Sequence, residues 1–175
     1  MYRKKLYCLF LIACPISTAY SADVLLSING TISLNTCSVT TGSKDKYVNL
    51  RTWGAKQFSS IGIKTLSVPF TIDLKNCNGS VSGVSGVNVT FSGAPTLENT
   101  AAFSLNGTST ARNIGILILD RNKNIIEPNI KSVIYDLKSD QSNFSLVFYG
   151  QYISTSTPVT PGSANSDITF SITYN

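Results

Sequence analysis

Histidine is missing from all 175 residues. Without an imidazole to act as base or ligand, Ser-His-Asp and Cys-His nucleophile systems are excluded, along with most zinc and copper sites. Charge is scarce as well, at 13% of the chain. The acids stand singly, and the closest pair, Asp136 and Asp140, reads as solvated loop charge rather than as an acid–base couple. Neither GxxxxGK[ST] nor GxGxxG occurs, so no phosphate cradle is present. No basic run interleaves with aromatics, which leaves nucleic acid without a binding surface. Catalysis is not expected, and no cofactor or metal is expected. What the chain does contain is 42% apolar residues, with Ser, Thr, Asn and Gly crowded between short apolar runs. That is the composition of an all-β extracellular domain.

The first 21 residues read as an export signal. Arg3, Lys4 and Lys5 form a positive start, Leu6 to Ile12 an apolar stretch, and Ala19-Tyr20-Ser21 a small-residue cleavage site before Ala22. A second reading stays open, because Leu11-Ile12-Ala13-Cys14 also fits a lipoprotein signal in which Cys14 is acylated. Removing residues 1–21 takes away three of 14 basic side chains and none of 9 acidic ones, so the formal +5 falls to +2. No run of 18 apolar residues follows. Cys8 and Cys14 leave with the signal, and Cys37 and Cys77 remain. In an oxidising compartment that pair is expected to join, closing a loop of about 40 residues and contributing about 4 kcal/mol. The remaining 154 residues suit one domain with a real core.

Strand signals then recur between turns. Tyr47–Leu50 is a short one. Leu66, Val68, Phe70, Ile72 and Leu74 alternate toward Cys77, with Pro69 on the opposite face marking an edge or an irregularity. Cys77 falls out of phase with that apolar face, which points to a bulge. Val87, Val89 and Phe91 alternate, and Ile114–Leu119 is apolar on both faces, as a central strand would be. Val133–Leu137 is weaker. Phe144, Leu146, Phe148, Gly150 and Tyr152 alternate, and so do Ile168, Phe170, Ile172 and Tyr174. No helical period holds for three turns. Many short antiparallel strands predict an all-β, immunoglobulin-like sandwich. The single Trp53 is expected to pack in a core or loop rather than to mark a sugar site.

One alternation is out of place. In the stretch from Asp23 to Leu34, Val24, Leu26, Ile28, Gly30, Ile32 and Leu34 share one face, directly after the signal where chain ends are usually loose. Burying the five large side chains gives roughly 7–15 kcal/mol gross, as much as the net stability of a whole domain. This stretch is either the first strand of its own domain or an arm for another molecule. Asn29-Gly30 is also a hairpin signal, although the alternation continues beyond it.

The mature chain resembles the pilins of bacterial chaperone–usher fimbriae, in particular the minor, tip-fibrillum or adaptor subunits of type 1 fimbriae. ADVLLSINGTISLNTCSV resembles their N-terminal extension and first cysteine segment, and VPFTIDLKNC the strand bearing the second cysteine. ARNIGILILD resembles the central strand. YISTSTPVTPGSANSDITFSITYN resembles the C-terminal signature, with Gly162 fourteenth from the end and a penultimate Tyr174. Arg51 departs from a frequent Gly, Asp167 from a small residue, and Asn175 from a terminal Gln.

The resemblance implies a pilin sandwich lacking its last strand, with residues 1–21 as signal, 22–35 as donor-strand extension and 36–175 as the pilin domain. It implies donor-strand exchange, in which each subunit's arm fills the next subunit's groove. Val24, Leu26, Ile28, Gly30 and Ile32 would be the donor residues. Gly162, Ile168, Phe170, Ile172, Tyr174 and Asn175 would form the groove strand, held first by a chaperone. The implied partners are neighbouring pilin subunits, a periplasmic pilus chaperone and an outer-membrane usher, and the implied destination is a cell-surface fimbria. Two other readings compete with this one, a glycan-binding fimbrial adhesin and a lipidated surface protein.

Overall fold

The computed structural model describes residues 37–77, 85–138 and 141–175. Its strands are β1 (Ser38–Val39), β2 (Val68–Lys75), β3 (Gly86–Ser92), β4 (Ile114–Leu119), β5 (Ile125–Ile126), β6 (Tyr135–Asp136), β7 (Phe144–Ser154) and β8 (Thr169–Tyr174). One helical turn, α1 (Thr41–Lys44), and a 3-10 turn at Ala55–Gln57 complete the elements. Every ladder between these strands is antiparallel. They form a five-stranded sheet in the order β1-β2-β7-β4-β5 and a three-stranded sheet in the order β6-β3-β8. The result is an immunoglobulin-like sandwich.

The core follows from the alternation. Phe70 and Ile72 of β2, Leu146 and Phe148 of β7, and Ile116 and Ile118 of β4 face Val87, Val89 and Phe91 of β3 in a single apolar cluster. Phe148 sits at its centre with no exposure, its ring 5.0 Å from Phe91 edge-on, 5.7 Å from Phe70 and 5.3 Å from Tyr135. Such offset and edge-on pairs add to simple burial. The two-faced apolar run of β4 is explained by the second face, where Leu117 packs with Ala102 and Ile153 in a smaller cluster. Cys37 and Cys77 are joined, as expected, with Cα atoms 4.3 Å apart.

Three expectations need correction. Tyr47–Leu50 forms no strand; it runs without a ladder among the described residues. The Val133–Leu137 signal shrinks to the two residues of β6, because only Gly86 and Val87 of β3 lie opposite. Cys77 leaves phase through Asn76, which turns left-handed at φ 57° just beyond the end of β2, and not through a bulge within the ladder. Pro69 behaves as expected. β1 covers β2 only at Leu74 and Lys75, so at Pro69 β2 is an edge on the side away from β7.

Candidate functional site

The site of interest is the flank of the sandwich that ends at β8. Antiparallel register places Phe170 opposite Phe91, Ile172 opposite Val89 and Tyr174 opposite Val87. Directly opposed residues point to the same face, so all six side chains look inward. Val87 and Val89 are 0% exposed and Phe91 is 3% exposed. Their β8 partners, only one strand away, remain half-buried, as does Ile168. The inward row therefore loses its cover between β3 and β8. Among the described residues β8 pairs with β3 alone, leaving the other edge of its backbone without a ladder.

A second stretch of backbone is similarly unpaired. Residues 46–50 make no backbone–backbone hydrogen bond to any described residue. Val48 and Leu50 nonetheless enter the same apolar cluster as the β8 side chains. Leu50 sits on Gly150 of β7, where an added Cβ would lie 2.8 Å from Leu50 Cδ2. This accounts for a glycine in phase with the apolar face of β7: the space of its side chain is taken by Leu50.

The two ends of β8 are fixed differently. At the C-terminal end, Tyr174 Oη donates to the Cys37 carbonyl at 2.8 Å, bridging to the residue just before β1. Burial raises the Tyr174 pKa, against the opposing effect of that hydrogen bond. Asn175 N–H donates to the Gly86 carbonyl at 3.0 Å and its carbonyl accepts from Ser85 N–H at 2.7 Å. At the N-terminal end, residues 160–167 run beside 106–112 in a polar clasp. Asn106 N–H donates to the Asn165 carbonyl at 2.7 Å, Thr110 N–H to the Ser163 carbonyl at 3.0 Å, and Asn106 Nδ2 to Asp167 Oδ2 at 3.0 Å. Tyr152 Oη donates to the Ala164 carbonyl at 2.8 Å. Burial and the nearby Tyr47 raise the Tyr152 pKa.

Gly162 belongs to this clasp and not to β8. A Cβ there would press on Thr110 Oγ1 and lie 2.6 Å from Ala111 N, so the two backbones meet at a distance that no side chain permits. Asp167, a departure from the family pattern, has a use as the acceptor for Asn106. Of the residues read as a groove strand, Ile168, Phe170, Ile172, Tyr174 and Asn175 come together on one edge, and Gly162 supports them from seven residues before β8. Val24, Leu26, Ile28, Gly30 and Ile32 lie outside the described residues. Sequence reasoning missed the bond to Cys37 and the clasp, because both join residues about fifty positions apart or more.

Comparison with known proteins agrees with this fold. The fimbrial protein family model matches residues 26–175. The chain is 36% identical over 164 residues to the fimbrial-like protein FimF of Salmonella typhimurium, covering 92% of this chain and 91% of that one. A crystal structure of a Burkholderia pseudomallei antigen and type I fimbria protein superposes with a TM-score of 0.61 at 28% identity, over 79% of this chain and 88% of that one. A subunit in the structure of a chaperone–usher pilus gives 0.67 at 19% identity, over 93% and 100%, a likeness of fold. A sandwich with a disulfide beside its first strand, a last strand paired on one side only among the described residues, and a family match over residues 26–175 places this chain among the fimbrial proteins, the exported subunits of bacterial surface fimbriae.

Proposed function

We propose that this subunit polymerises by donor-strand exchange, the slot beside β8 receiving the N-terminal arm of a neighbouring subunit. The observation that carries the reading is the inward row of β8, only partly buried beside the fully buried row of β3. A partly covered apolar row along an edge without a ladder among the described residues calls for a strand, since a strand supplies both the backbone partners and the apolar face. Residues 46–50 would form the opposite wall. Val24, Leu26, Ile28, Gly30 and Ile32 of this chain would enter a neighbour's slot in the same way, and a periplasmic chaperone would hold β8 until the exchange takes place at an outer-membrane usher. The Ala22-Asp23-Val24 start supports a minor or adaptor subunit rather than the rod subunit.

The test is deletion of residues 22–32. Chaperone capture should persist while onward polymer disappears. Polymer of unchanged length from the truncated chain would refute the exchange.

A further inference from the structure

A depression of about 310 Å³ lies among Arg51, Trp53, Leu66, Ser67 and Val68. Its chemistry is uneven. Trp53 is half-buried, and its indole N–H is already used on the Leu50 carbonyl at 2.7 Å, so what it offers a visitor is ring surface. Leu66, 73% exposed, extends the apolar lining. Arg51 is exposed and holds a left-handed φ of 68°, a conformation that costs a residue with a side chain. Its guanidinium finds no hydrogen-bond acceptor among the described residues, and its backbone N–H is held by Asn49 Oδ1 at 2.8 Å. A second cation reaches the rim, as Lys123 crosses the Tyr149 ring and donates to Ser67 Oγ at 2.9 Å.

We propose that this depression binds a carboxylate-bearing sugar ring, the apolar face of the pyranose lying on Trp53 and Leu66 and the carboxylate on Arg51. Ring surface beside an unspent guanidinium suits that ligand twice over. The planar fork of Arg pairs a carboxylate through two parallel N–H bonds, and the volume, at the small end for ligand sites, suits one ring. A neutral sugar would leave the guanidinium unused, and a bare anion would leave the indole unused. The inference goes beyond the strand-exchange reading and rests on different residues.

Trp53 is the only tryptophan of the chain, so its emission reports on the depression directly. Titration of the mature chain with glucuronate should give a saturable change in emission, at least tenfold tighter than with glucose or with acetate. Arg51→Gly should lose that preference tenfold or more without lowering the melting temperature, since glycine suits the left-handed backbone. Lys56→Ala, removing an exposed charge on the nearby 3-10 turn, should leave it unchanged. No saturable response to glucuronate, an equal response to acetate, or an unaltered response in Arg51→Gly overturns the proposal. A response to an Asp- or Glu-bearing peptide in place of glucuronate also overturns it and assigns the depression to a contact between subunits.

Discussion

Gly162 shows how a single position governs a strand that it does not belong to. Its backbone lies against Thr110 and Ala111, and any Cβ there would meet backbone atoms that cannot yield. Gly162→Ala should therefore cost about 2–4 kcal/mol by forcing the clasp apart; an unchanged urea midpoint would show that the clasp can shift. Arg51 is the opposite case. Replacing it with glycine relieves a left-handed backbone but loosens the unfolded chain, so the expected change runs from zero to about 1 kcal/mol more stable. Thermal melts of the two proteins check this. Both positions stood out through the resemblance to fimbrial pilins, Gly162 as part of the C-terminal signature and Arg51 as a departure from a frequent glycine. The reasons were not visible, because residues 110 and 111 are about fifty positions from Gly162 and the φ of Arg51 is a property of the folded turn.

Among the elements, β8 is the one whose alternation is least fulfilled by its own chain. Its inward residues are placed as a buried strand's would be, yet they are only partly buried. If an arm completes the slot, a synthetic peptide of residues 23–34 should raise the melting temperature of the subunit with the logarithm of its concentration once that exceeds Kd, by mass action. The same peptide carrying Ile28→Asp should have no effect, because a carboxylate on the apolar face would be buried without a partner. Equal shifts from both peptides would count against a side-chain-specific slot. Tyr174→Phe should weaken the tie of β8 to Cys37 by about 1 kcal/mol, readable as faster amide exchange at the end of β8.

At the scale of the whole molecule, the disulfide and the buried tyrosines set the conditions under which the subunit persists. Replacing Cys37 and Cys77 with serine should remove about 4 kcal/mol through the freed loop of about 40 residues. That is a large share of the 5–15 kcal/mol typical of a domain, and denaturation with and without reductant measures it. Alkali should act through the phenols. Burial pushes Tyr135, 3% exposed, up to about 12 and raises Tyr152 and Tyr174 as well. The folded chain then keeps protons that the unfolded chain releases near pH 10, so this contribution is intact below pH 10 and lost as pH climbs toward 12. Urea midpoints that stay level from pH 9 to 11.5 would contradict it.

The period-two stretches by themselves determined β2, β3, β7, β8 and the class of sandwich, since side chains alternate across a strand whatever its partner, and the two cysteines left after the export signal determined the pair. The alternation also placed Ile168, Phe170, Ile172 and Tyr174 on one face. Tertiary structure alone decided that this face is less buried than the β3 row beside it, that residues 46–50 join no ladder among the described residues, and that Arg51 and Trp53 share a depression. Each of these depends on which segments meet in space, and exposure is a property of the neighbours a residue acquires rather than of the residue itself.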